Sequence, residues 1–229
     1  MDMNILAVDT STTELGIGIV TGSGDEYAQR WKEIGHSEPL FPRIGFVLDR
    51  VDLGSGEIDL LAVVSGPGSF TGLRIGMAGL LGWGVSVGIP VQPVDTFAAM
   101  RASLVDVTYP LLVAIHSRGD EFYLQFYSSS GDAAEPYVGG VDSIVGQVSG
   151  DCLVCGSGAE KFVELAATVI RDRFRPAPLE LRTPNLISVC REAERTFDGK
   201  ANSDYDAEPY YMTLSQAEIN FENNTSRDL

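Results

Sequence analysis

The sequence predicts a two-lobed α/β fold, and three observations carry that prediction. An apolar run at 60–64 stops at Ser65-Gly66-Pro67-Gly68 and is followed by a second apolar run of about 18 residues from Phe70. The pattern is a buried strand, a tight turn and a helix too long to be a strand. The strings ILAVDTS at 5–11 and LVAIHSR at 112–118 repeat one form, and each leads through a polar turn into a second strand. The same hairpin therefore opens two units of the chain. A length of 229 residues leaves room for two lobes, each with its own core. The predicted boundaries are 1–108 for the first lobe, 109–212 for the second and 213–229 for a polar tail.

In order, strands over 4–8, 15–20 and 25–32 form a meander, separated by Asp9-Thr10-Ser11-Thr12-Thr13 and Gly22-Ser23-Gly24. Leu40, Phe41, Ile44, Val47, Leu48 and Val51 recur at helical spacing after His36-Ser37-Glu38-Pro39, so a helix is expected over 39–51. The strand at 60–64 follows. Ser69 or Thr71 offers an N-cap hydroxyl to the long helix. Gly72, Gly76, Gly79 and Gly82 form a stripe along that helix, and each costs about 1 kcal/mol relative to alanine. A close neighbour along the stripe would offset that cost. The remaining positions are apolar on every side, which predicts burial all round. A strand at 91–94 and a helix from Thr96, capped by Asp95 or Thr96, complete the lobe.

The second lobe reads as strands over 111–115 and 121–127, a turn at 128–132, a strand at 152–155, and helices over 159–171 and 185–197. A loop is expected at 199–207. The run Arg171-Asp172-Arg173-Phe174-Arg175 reads as a solvated helix end.

Composition narrows the function. With 32 acidic and 16 basic residues the net charge is −16, which repels phosphate backbones over most of the surface. Nucleic acid would bind only where a partner supplies the basic groove. The start of the chain lacks a basic region followed by an apolar core, so no signal peptide is expected. The uncharged run at 75–94 could span a bilayer by length, but it holds five glycines and lacks basic flanks. Three cysteines without a framework spacing fit a reducing cytoplasm.

The glycine-rich turn invites a phosphate reading, and its spacing rejects the known forms. Five residues separate Gly66 from Gly72, and Leu73 stands where a P-loop needs lysine. Thr71 occupies the third-glycine position of a dinucleotide fingerprint. Zinc is not expected, because the two histidines, His36 and His116, lie in different lobes. Cys152 and Cys155 sit three apart on a strand, so they point to opposite faces and do not form a ligand pair. No nucleophile elbow surrounds Ser69. Asp9, at a strand end, with Ser69 and Thr71 at the turn, are the candidate residues of a vestigial nucleotide site. The position matching Asp9 in the second lobe is His116, which alters half of any phosphate clamp.

ILAVDTST at 5–12, HSEPLFP at 36–42, SGPGSFTGLRIG at 65–76 and PYYMTLSQAE at 209–218 resemble the bacterial TsaB (YeaZ) family. The resemblance implies a fold of the actin–hexokinase–Hsp70 type. It implies a non-catalytic scaffold or activator subunit in the synthesis of N6-threonylcarbamoyladenosine in tRNA, paired with the TsaD transferase. A TsaE-type ATPase joins such pairs, ATP and metal are handled by the partners, and alone such chains pair with themselves. tRNA is then met only through the complex. Carried onto this chain, the partner surface falls on Leu40, Phe41 and Ile44 of the first helix and Leu73, Ile75 and Met77 of the second. His116-Ser117-Arg118 and Tyr211-Met212-Thr213 depart from the family pattern of Asp-Ala-Arg and Tyr-Leu-Arg. The competing reading is an ATP-dependent phosphotransferase or ATPase of the same fold, supported by Asp9 and the Gly66–Gly72 turn.

Overall fold

Two mixed sheets of five strands, built to one plan, organise the chain. The computed structural model describes residues 3–32, 40–104, 109–148, 150–169, 173–199 and 208–213. His36 to Pro39, Arg171 and Asp172, nearly all of the loop expected at 199–207, and all but the first residue of the tail expected at 213–229 lie outside them.

The first sheet holds β1 (Ile5–Asp9), β2 (Glu14–Val20), β3 (Glu26–Lys32), β4 (Leu60–Gly66) and β5 (Val91–Asp95), in the order β3-β2-β1-β4-β5. The second holds β6 (Leu111–His116), β7 (Phe122–Tyr127), β8 (Tyr137–Gly139), β9 (Cys152–Cys155) and β10 (Phe174–Pro176), in the order β10-β9-β6-β7-β8. In each sheet the first three strands form an antiparallel meander and the last two add in parallel. The doubled topology is the actin–hexokinase–Hsp70 architecture. The repeated hairpin noted in the sequence is its signature, with Asp9 and His116 ending the equivalent central strands.

Among the described residues six α-helices cover the sheets: α1 (Leu40–Arg50), α2 (Phe70–Val87), α3 (Thr96–Ala102), α4 (Asp142–Val145), α5 (Ala159–Ala167) and α6 (Leu186–Thr196). On one face of the first sheet, Leu6, Val8, Leu15 and Ile17 pack with Leu40 and Ile44 of α1 and Met77 and Leu80 of α2. On its other face Ile5, Ala7 and Leu60 meet Ala99 of α3 and Val189, Cys190 and Ala193 of α6. Thus α6 follows the second sheet in the chain and packs on the first. Conversely, Phe97, Met100 and Leu104 turn to the second sheet, against Val113, Ile115 and Tyr123. The two central helices α3 and α6 tie the lobes together from opposite directions.

Local signals account for the helix starts. Ser69 caps α2, accepting from the Gly72 amide at 3.2 Å, and Asp95 caps α3, accepting from the Ala98 amide at 3.0 Å. Asn185 caps α6 through the Ile187 and Ser188 amides. Gly88, with φ +77°, ends α2 in the left-handed conformation that glycine adopts without strain.

Three expectations are corrected. The basic run is not a helix end where it is described: Phe174 and Arg175 lie on β10, with Phe174 in the core. Burial all round does not hold for α2. Leu73, Met77 and Leu80 face inward, whereas Thr71, Arg74, Ala78, Gly82 and Val85 are exposed. A helix laid on one sheet face covers only its inner side. The glycine stripe is also shorter than the spacing suggests. A Cβ on Gly72 would lie 2.0 Å from the Thr10 carbonyl oxygen and one on Gly76 2.3 Å from Thr10 Oγ1, but Gly82 faces open space.

Candidate functional site

The turns that end β1 and β6, and those that open α2 and α5, converge on a cleft of about 380 Å³ between the lobes. From the first lobe come Ser11, Thr12 and Thr13 after β1, and Gly68, Ser69 and Phe70 before α2. From the second come His116, Ser117, Tyr123 and Ser157. The wall is rich in hydroxyls, and none of these lining residues is Asp, Glu, Lys or Arg. The chain as a whole carries a net charge of −16.

Asp9 explains part of the wall's lack of charge. Its side chain is wholly buried and turned from the cleft. Oδ1 accepts from the Ser11 amide at 2.9 Å and from Ser11 Oγ at 2.6 Å, and Oδ2 pairs with Arg30 at 2.8 Å. Arg30 also donates to the Pro184 carbonyl at 2.6 Å, which joins β3 to the segment leading into α6. A carboxylate so committed orders the turn at Ser11. On the other wall, His116 Nε2 lies 3.0 Å from the Gly119 carbonyl oxygen, and its ring meets Phe122 edge-on at 5.9 Å. A donor is required against a carbonyl, so Nε2 carries a proton. Among the described residues there is no group of three or more His, Cys, Asp or Glu side chains placed to hold a metal ion.

Of the three residues proposed for a nucleotide, the structure brings only Ser69 onto the cleft wall. Thr71 is exposed in the first turn of α2. The hydroxyls of Ser117, Tyr123 and Ser157 were not singled out from the sequence. The available signal was the repeat itself, since each lobe contributes one hairpin turn and one helix entrance.

The six residues expected at a partner surface divide by burial. Leu40, Ile44, Leu73 and Met77 are 1–3% exposed and belong to the chain's own core. Phe41 is 50% exposed, and Ile75 is part-exposed. Phe41 meets Trp83 edge-on at 6.2 Å, so α1 and α2 lie side by side with an apolar outer surface. Val85 and Val87, each 53% exposed, stand farther along α2.

The segment 208–213 crosses the cleft mouth. The Tyr210 amide donates to the Ser65 carbonyl at 2.7 Å, and Tyr211 stacks on Phe70 at 4.4 Å, nearly parallel. Arg74 Nε donates to Tyr211 Oη at 2.9 Å. On the second lobe, the part-buried Met212 packs against the core cluster that includes Tyr123, and Thr213 Oγ1 lies 2.8 Å from Tyr123 Oη.

A family model described as TsaD, tRNA N6-adenosine threonylcarbamoyltransferase, matches residues 31–220. The chain belongs to this family. It is 28% identical over 124 residues to the tRNA threonylcarbamoyladenosine biosynthesis protein TsaB of Haemophilus influenzae, covering 53% of this chain and 52% of that protein. It is 34% identical over 105 residues to the TsaB protein of Bacillus subtilis, 44% of each. The chain therefore spans about half the length of these curated relatives. YeaZ from Pseudomonas aeruginosa superposes with a TM-score of 0.74 at 23% identity, over 91% of this chain and 99% of that one. Within the TsaD family the chain resembles the TsaB (YeaZ) branch, as the motifs at 5–12 and 65–76 imply.

Proposed function

We propose that this chain is a non-catalytic scaffold subunit of a tRNA N6-threonylcarbamoyladenosine synthesis complex, docking a TsaD-type transferase through the outer face of α1 and α2. The observation that carries the reading is the half-exposed Phe41 against Trp83 where α1 and α2 meet, with exposed apolar side chains at Val85 and Val87 and a part-exposed one at Ile75 along α2. Fully burying such a side chain contributes about 1.5–3 kcal/mol, so half of that remains available to a partner at each position. The neutral cleft supports the non-catalytic part. Phosphoryl chemistry needs a metal-holding carboxylate or a cation on the phosphates, and the strand-end carboxylate here is tied to Arg30. In this reading a TsaE-type ATPase joins the pair, ATP and metal belong to the partners, and tRNA is met only through the assembly. The chain works in the cytoplasm and forms a homodimer through the same face when the transferase is absent.

The test is to mix the purified chain with the TsaD-type transferase of the same organism and measure association by calorimetry and sizing. A one-to-one complex is expected, and the absence of association overturns the reading. Calorimetric binding of ATP to the chain alone, lost on Ser69→Ala, would favour a nucleotide-dependent enzyme instead.

A further inference from the structure

The segment 209–213 touches both lobes at residues that are themselves cleft wall. Phe70, on the first-lobe wall, carries the Tyr211 ring at 4.4 Å with 4° between the planes. Tyr123, on the second-lobe wall, holds the Thr213 hydroxyl at 2.8 Å. Between them, the part-buried Met212 packs against the second-lobe core. The first-lobe anchor is reinforced twice. The Tyr210 amide donates to the Ser65 carbonyl at the end of β4. The Arg74 guanidinium lies 5.5 Å from the centres of both the Phe70 and Tyr211 rings and bonds the Tyr211 hydroxyl. The path also depends on Gly66: a Cβ there would lie 2.6 Å from the Tyr210 carbonyl oxygen, and its φ is +120°. Each contact is local and modest, yet the five residues bond one lobe to the other across the mouth of the cleft.

We propose that 209–213 is a clasp that holds the lobes closed over the hydroxyl-lined cleft, so that opening of the cleft requires Tyr211 to unstack from Phe70 or Thr213 to leave Tyr123. Two consequences follow from the geometry. Moving the lobes apart must break either the stack or the Thr213–Tyr123 bond, because the clasp is fixed at both ends. Releasing the clasp also frees the start of α2, since Phe70 and Arg74 are its first and fifth residues. Solvent access to the cleft and order at the start of α2 are therefore coupled. A stacked aromatic pair and one hydroxyl bond together correspond to about a ten- to hundredfold shift in the opening equilibrium.

Hydrogen–deuterium exchange on the full chain tests this, because it reads local opening segment by segment. Tyr211→Ala is expected to raise exchange about tenfold or more at both 65–73 and 116–124, while 40–50 and 159–167 keep the wild-type rate. Tyr211→Phe, which keeps the stack and loses only the bond to Arg74, is expected to stay close to wild type. Faster exchange confined to 208–213, or no change in either wall, overturns the clasp. Should Tyr211→Ala unfold the chain, Thr213→Val carries the test with the same two readouts. It breaks only the bond to Tyr123 and must also loosen both walls.

Discussion

Asp9 and Arg30 form a 2.8 Å ion pair between a carboxylate with no exposed surface and a guanidinium that is mostly covered. They stand on strands separated by β2, and the pair closes over the polar turn at Ser11. Removing one partner strands the other in a poorly hydrated site, which costs about 3–5 kcal/mol for buried pairs. Asp9→Ala is expected to lower unfolding free energy toward that range, less the relief Arg30 gains from its partial exposure. Urea denaturation measures it. A neutral result would mean that Arg30 finds water instead.

The glycines of α2 divide by what lies against them. Gly72→Ala would drive a methyl group into the Thr10 carbonyl, a backbone atom that cannot rotate aside. Overpacking of this kind costs about 1–3 kcal/mol, partly offset by the higher helix propensity of alanine. Gly82→Ala meets open space and is expected to stabilise the chain by about 0.5–1 kcal/mol. Opposite signs from the same substitution on one helix would be read from the shift in denaturation midpoint.

Much of this arrangement was legible in the sequence because it is local. The Ser69 and Asp95 caps, each one of two candidates, the strand before Gly66 and the repeated hairpin all follow from neighbouring residues. What could not be read is non-local or too short. β8 and β10 span three residues each, too few for any periodicity. The crossing of α6 to the first sheet depends on how the lobes face each other, and nothing in its own residues signals that. The apolar length of α2 hid which face is outside, because Ala78, Gly82 and Val85 differ little in hydropathy pattern from its core positions. Asp9 was visible as a strand-end carboxylate, but its partner lies two strands away.

That same division of α2 separates interface variants from core variants. Val85 is 53% exposed and Leu73 1%. Val85→Asp should leave the fold intact and weaken docking to the transferase at least tenfold, since the charge would be buried without a partner in the complex. Leu73→Asp should unfold the chain before any partner is met. Circular dichroism distinguishes the two, and calorimetry then reads the affinity of the folded variant. Wild-type affinity in folded Val85→Asp would move the docking face away from α2.

The three thiols give the stability a pH dependence of defined sign. Cys152 and Cys155 are buried on opposite faces of β9, and Cys190 lies against the first sheet, so burial pushes each up to about 12. In the unfolded chain a thiol titrates near 8.5, or roughly 3 units lower. Above that value the unfolded state releases protons that the folded state keeps, so unfolding becomes easier as pH rises. The stabilisation from the protonated thiols is fully present below about pH 8.5 and is lost progressively as pH climbs toward 12. Each thiol contributes a slope of up to about 1.4 kcal/mol per pH unit. Urea midpoints at pH 7, 8, 9 and 10 should therefore be level at first and then fall. Cys190→Ala should flatten the decline by about a third, because one of three comparable thiols is gone. The native chain should also resist a thiol reagent at pH 8 and expose all three sites in urea. An unchanged slope in the variant would assign the alkaline loss to other groups, with Tyr127, raised chiefly by burial, the next to examine.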